Sequence, residues 1–113
     1  MSTDCLFCKI AAGEIPAEKI YEDDELLAFQ DIAPQAPVHF LVIPKKHIQD
    51  PAGVGSEDDA LMGRMMRCAA KVAGEQGAHD FRLVFNNGAE AGQTVFHIHM
   101  HVLGGRSLGW PPG

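Results

Sequence analysis

The sequence has little that is basic and little that is aromatic. Nine lysines and arginines stand against fifteen acidic residues, there is one tryptophan and one tyrosine, and cysteine occurs three times. At a net charge of −6 the chain is not suited to holding duplex nucleic acid by neutralising phosphates. It also lacks an arginine cluster, so an anionic ligand has to be held by local neutral donors and imidazoles against an unfavourable overall field. No apolar run approaches the ~18 residues of a membrane span, and no basic-then-apolar leader is present. A cytoplasmic location without membrane association is therefore expected. In that reducing compartment Cys5, Cys8 and Cys68 are thiols or metal ligands rather than disulfides. With no repeat, linker or low-complexity stretch, residues 1–113 read as one domain. A hydrophobic fraction of 46% with 21% charged residues excludes wholesale disorder.

Punctuation by proline and glycine divides the chain. Met1–Asp4 is expected to fray. Cys5–Ala12 reads as a short helix with Leu6, Phe7 and Ile10 inward, stopped by Gly13 and Pro16. Lys19–Glu22 and Glu25–Gln30 read as a strand hairpin about Asp23-Asp24. Pro34 and Pro37 hold the next stretch in an extended loop, before a third strand over Val38–Ile43. A long helix is predicted over Glu57–Ala73, capped by Ser56. Leu61, Met65, Cys68, Ala69 and Val72 form its buried face, and Met62, Met66 and Ala73 widen that face enough for a partner chain. Phe81–Phe85 and Val95–Leu103 complete the strands, with a polar loop over Asn86–Thr94 between them. Lys45 and Lys46 read as a solvated pair and His79 as an exposed loop residue. The pattern is α+β, with roughly five antiparallel strands, one long helix and one short one.

Within the last predicted strand, His97, His99 and His101 alternate with Ile98, Met100 and Val102. Side chains two apart share a strand face, so three imidazoles line one side and apolar residues the other. A packing role does not explain three rings that each need a polar partner. Nor does one zinc ion, because His97 and His101 lie about 13 Å apart along a strand, against zinc–nitrogen bonds of ~2.0–2.1 Å. Labour must be divided. Cys5-Leu6-Phe7-Cys8 is half of a tetrahedral zinc set, with His47 and His97 as candidates for the other half. A redox CxxC is the weaker reading, and Cys68 is expected to be a core thiol. His99 and His101 remain, with His39 on the strand after Pro37. A neutral imidazole whose Nδ1–H is tied to a carbonyl turns a nucleophilic Nε2 outward, and neighbouring imidazoles can supply protons or hydrogen bonds to a phosphoryl group.

His97-Ile98-His99-Met100-His101-Val102-Leu103 resembles the signature of the histidine triad superfamily, in which three histidines alternate with apolar residues. Lys9-Ile10 with Gly13-Glu14-Ile15-Pro16-Ala17, the segment from Asp31 to Pro37, Phe40–His47, Asn86–Gly88, Gly92-Gln93 and the run from Gly104-Gly105-Arg106 to Trp110-Pro111-Pro112-Gly113 resemble its Hint branch. The resemblance implies a HIT-like fold in a two-fold homodimer with a joined sheet, the Trp110 segment crossing the interface. It implies a purine nucleoside phosphoramidase that releases AMP or GMP through a nucleotidyl group on His99. A dinucleoside polyphosphate hydrolase, a nucleotidyl transferase and a nucleotide-binding regulatory module are the alternatives.

On that resemblance His101 hydrogen-bonds the phosphate and His39 relays protons. Gly92, Gln93 and Thr94 present backbone N–H groups and the Thr94 hydroxyl to phosphate and leaving amine, where the family has serine at the threonine position. Asn86 lies at the polar edge. Asp31 accepts the ribose hydroxyls, and Ile32, Phe29, Leu6, Phe7 and Ile10 form the purine slot. Structural zinc on Cys5, Cys8, His47 and His97 is implied, with no metal needed for the chemistry.

Overall fold

The computed structural model describes residues 4–113. The fraying expected at the N-terminus falls mainly on residues 1–3, outside the described residues. In chain order the elements are α1 (Leu6–Ala11), β1 (Lys19–Glu22), β2 (Leu26–Gln30), β3 (Val38–Pro44), α2 (Asp59–Glu75), β4 (Phe81–Phe85) and β5 (Met100–Gly104). The five strands form one antiparallel sheet in the order β1-β2-β3-β5-β4. Asp23 closes the first hairpin, its Oδ1 accepting the N–H groups of Glu25 and Leu26, both at 2.8 Å.

Alternation along β2 and β3 sorts their side chains between two layers. Leu26, Ala28, Phe40 and Val42 pack against Leu61, Met65, Cys68, Ala69 and Val72 of α2. Leu27, Phe29, Leu41 and Ile43 face the other way, against Phe7 and Ile10 of α1 and its N-cap Cys5. Both faces of the central strands are thus covered, which is why these strands read as near-continuous apolar runs. His39 and Leu41 share a face, and Leu41 pairs with His101, so these histidines emerge on the α1 side, beyond the end of that smaller core.

Two elements depart from the sequence expectation. Ser56–Asp58 is a 3₁₀ turn, and α2 begins at Asp59. Asp58 is turned inward instead of loading the helix start. It takes Lys46 Nζ at 2.6 Å and the Gly55 N–H at 3.2 Å, while Lys45 Nζ pairs with Glu22 at 2.8 Å. The expected solvated lysine pair is therefore two ion pairs. The final strand is also shorter than predicted, because residues 95–97 bend before the ladder begins at Met100. Ile98 N–H donates out of the sheet to Ile48 O at 2.6 Å, which diverts the backbone from β3 at this point.

At the far end of β5 the sheet passes under Ala78. A Cβ added at Gly104 would lie 2.7 Å from Ala78 Cβ and 2.9 Å from Asp80 O. Gly104→Ala is expected to cost about 1–3 kcal/mol through overpacking, read as a lower urea midpoint at unchanged m-value.

Candidate active site and metal cluster

The bend at 95–97 divides the three histidines. His97, fully buried, turns back towards α1, where Cys5 Sγ, Cys8 Sγ and His47 Nδ1 lie 3.3, 3.5 and 3.2 Å from its Nδ1. Cys8 Sγ and His47 Nδ1 are 3.4 Å apart, and all four donor atoms fall within 4.8 Å of one another. Bonds of ~2.0–2.3 Å to a tetrahedral zinc ion set ligand atoms roughly 3.3–3.8 Å apart, so the set fits that ion. The chemistry of the donors fits too. His97 Nε2 lies 2.7 Å from Pro44 O and must donate there, which leaves Nδ1 with a bare lone pair facing the sulfurs. Burial and the neighbouring Cys5 push the Cys8 thiol up to about 11, so a metal has to displace a firmly held proton.

His99 and His101 face the other direction. His99 Nδ1 is 2.8 Å from His97 O, a pairing only an N–H can make, and the free lone pair is therefore on Nε2. The edge of the Phe7 ring packs on this imidazole at 5.0 Å between centroids. The Gln35 N–H donates to His39 Nδ1 at 2.9 Å, so neutral His39 carries its proton on Nε2. That atom lies 2.9 Å from His101 Nδ1 and 3.3 Å from Asp31 Oδ2. Donation to His101 Nδ1 puts the His101 proton on Nε2. The row thus offers one bare nitrogen at His99 and one N–H at His101, on rings 5.1 Å apart.

Burial lowers the basicity of these rings. It is the leading cause at His39 and His99, with Asp31 opposing it, and at His101 burial plus the neighbouring His99 and His39 bring the value down to about 4. All three are neutral at pH 7. Asp31, His39 and His101 also approach closely enough to share a metal ion. Such an ion would need His39 Nε2 bare, and the Gln35 N–H keeps the proton there.

The other predicted residues surround this row unevenly. Phe7, Ile10 and Phe29 are buried beside it, Leu6 is exposed, and Ile32 is wholly exposed. Asp31 Oδ1 accepts the Ala33 N–H at 2.8 Å, making a turn before Pro34, while Oδ2 faces His39. Gln93 is committed to the loop. Its Oε1 accepts from Gly88 N–H, and its Nε2 donates to Gln49 O and Val95 O. The N–H groups of Gly92 and Gln93 are taken by Ala89 O and Gly88 O. Thr94, next along, is exposed, and Asn86 is half-buried beside Gly92. Cys68 lies in the main core and His79 is exposed, both as expected. Two features had no sequence signal of their own: the main-chain donor on His39, hinted at only by the stiff Pro34–Pro37 frame, and the Phe7 contact with His99.

A family model described as the HIT domain matches residues 12–108, a span that includes all six histidines of the chain. The chain belongs to the HIT domain family. An uncharacterized HIT-like protein of Synechocystis sp. is 55% identical over the whole of both chains. The solved structure of a HIT family hydrolase from Legionella pneumophila has a TM-score of 0.95 at 52% identity, covering 97% of this chain and 100% of that one. A histidine triad protein from Clostridium difficile has a TM-score of 0.92 at 42% identity, covering 96% of each. The protein thus carries the fold of HIT-family hydrolases. The HIT match begins after Cys5 and Cys8, so two of the four cluster residues lie outside it.

Proposed function

We propose that this HIT domain hydrolyses the P–N bond of purine nucleoside 5′-phosphoramidates, of the adenosine phosphoramidate or AMP-lysine type. The observation that carries the reading is the His99 ring, whose Nδ1–H is tied to His97 O and whose bare Nε2 stands beside the His101 N–H donor. In the first step His99 Nε2 attacks phosphorus. The new N–P bond replaces the bond to the leaving amine, which departs with that electron pair and takes a proton from solvent. His101 Nε2–H hydrogen-bonds a phosphoryl oxygen as charge gathers there, and His39 holds His101 in the donating tautomer. Water then attacks phosphorus, freeing the nucleoside monophosphate and restoring His99.

Phe7, Ile10, Phe29, Ile32 and Leu6 supply apolar surface for a purine, and Asp31 is the acceptor within reach for ribose hydroxyls. Thr94, exposed beside the loop, faces the leaving amine. A structural zinc on Cys5, Cys8, His47 and His97 would brace the site without entering the reaction. The exposed Trp110 and the outer strand β4 support a two-fold dimer with a joined sheet.

A substrate panel tests the reading. Adenosine and guanosine phosphoramidates should turn over, diadenosine polyphosphates should turn over far more slowly, and alkali-quenched samples should contain nucleotide on His99. Turnover of polyphosphates alone, or tight nucleotide binding with no turnover, would reject it. The pH profile adds an independent check. An ordinary imidazole titrates near ~6.5, but His101 is held down to about 4, so it keeps its accepting Nδ1 on acidification. The His101 contribution to kcat is expected to stay constant through pH 6.5 and to change only towards pH 4, where protonation of Nδ1 breaks the hydrogen bond from His39. This is measured as the difference between wild-type and His101→Ala profiles.

A further inference from the structure

His39 heads the row of imidazoles, and its proton is placed by a group that does no chemistry. The Gln35 N–H reaches His39 Nδ1 at 2.9 Å, and the carbonyl of the same residue is held by Arg106 Nε at 3.0 Å. Arg106 Nη1 also donates to Ser107 O at 2.8 Å, which fixes the guanidinium against its own backbone. Arg106 lies two residues beyond β5, the strand that carries His101. A closed circuit results: along β5 from His101 to Arg106, across to Gln35, through its N–H to His39, and back to His101 over 2.9 Å.

The surroundings stiffen this circuit. Pro34 and Pro37 fix φ on either side of Gln35. Gln35 Nε2 donates to Ala33 O at 2.9 Å, and Ala33 N–H is held by Asp31. Gly105 has φ +87°, and a Cβ there would lie 3.0 Å from Pro37 Cβ, so this turn brings the chain against the proline frame just before Arg106.

We infer that Arg106 is a positioning residue for proton placement in the site. By holding the Gln35 carbonyl it aims the Gln35 N–H at His39 Nδ1, and thereby sets the Nε2–H tautomer of both His39 and His101. Without that hold the Gln35 backbone can rotate about its φ and ψ, the N–H swings off His39, and the His39 proton is free to move to Nδ1. His101 then presents a lone pair, not an N–H, where a phosphoryl oxygen gathers charge. The kinetic consequence rests on the reaction proposed above; the tautomers do not.

Two-bond proton–nitrogen NMR spectra of ¹⁵N-histidine protein without nucleotide test the inference directly. The wild type should show Nε2–H at His39 and His101 and Nδ1–H at His99. In Arg106→Met both of the first two should become mixed while His99 stays unchanged. Turnover of the phosphoramidate should fall about tenfold or more, towards the lower end of what a general acid–base group contributes, with KM within roughly twofold. Arg106→Lys restores a donor and should return the wild-type tautomers. Unchanged tautomers in Arg106→Met, or slow turnover with wild-type tautomers, would overturn the inference. If Arg106→Met does not fold, Gln35→Pro removes the N–H with Arg106 intact and must produce the same mixed tautomers; wild-type tautomers there would overturn it equally. Because the spectra contain no substrate, they decide the role of Arg106 even if the phosphoramidate reading fails.

Discussion

Replacing His99 with alanine is expected to end turnover while leaving the fold and nucleotide binding in place. The ring lies at the edge of the smaller core, and its one hydrogen bond, to His97 O, is not part of the sheet ladder. Truncation therefore removes an edge contact with Phe7 and little else from the framework. The chemical loss is far larger, because no other bare ring nitrogen faces the same space: His39 Nδ1 is filled by Gln35 N–H and His101 Nδ1 by His39. A fall of roughly 10⁴-fold or more in kcat is expected, the scale seen when a covalent nucleophile is removed. His101→Ala should behave differently, slowing the reaction by about 10²–10⁴-fold while still accumulating nucleotide on His99. Mass spectrometry of alkali-quenched samples separates the two variants. A His99→Ala protein that still forms the adduct, or retains more than a trace of its rate, would remove His99 from the centre of the mechanism.

Stripping the zinc proposed for the Cys5, Cys8, His47 and His97 cluster is expected to have the largest effect on stability. The four ligand atoms join α1, the segment after β3 and the bend before β5, three pieces that otherwise meet through a small cluster of apolar side chains. A ligand at a thousand times its Kd stabilises the folded state by about 4 kcal/mol. For a domain of this length that is a Tm shift of roughly 15–20 °C. One equivalent of zinc per chain should be recovered, chelation should lower Tm by that amount, and Cys8→Ser should mimic chelation. Because the Cys8 proton is held up to about 11 and must leave on binding, metal affinity should rise with pH. Well below the lowered Tm, turnover per folded molecule should persist after chelation. Its complete loss with the fold retained would move the metal into the chemistry.

The parts of the fold legible in the sequence are those where one local force decides. Phe81–Phe85 and Lys19–Glu22 occupy the predicted bounds, since each is a short β-forming run ended by turn residues. The alternation from His97 to His101 was legible as function but misleading as geometry. It reads as continuous strand, whereas the Ile98 N–H bond to Ile48 turns His97 out of the row. That bond joins residues fifty positions apart and leaves no trace in local periodicity. The same bend resolves the spacing problem that three histidines on one strand presented, by sending the first ring to the cysteines. Asp58 escapes local reading for a similar reason: an acid at that place suits a helix start, but a lysine twelve residues earlier holds it inward. Gln93 has the composition of a binding residue, yet both ends of its amide are used up inside the loop. Side-chain roles set by main-chain donors, as at His39, were out of reach because every residue but proline carries the same N–H.

The pairing of β3 with β5 has a kinetic consequence. His39 and His101 are separated by 62 positions and meet only when these two strands register, after α2 and β4 have been inserted between them in the chain. Closing so long a loop carries a large entropic penalty before any contact rewards it, and structures dominated by such distant pairings assemble slowly. No fragment ending before Met100 contains β5 or His101, so none can assemble the complete reactive centre. Recovery of catalysis during refolding should therefore coincide with the last cooperative phase, making enzymatic activity a clock for completion of the whole sheet.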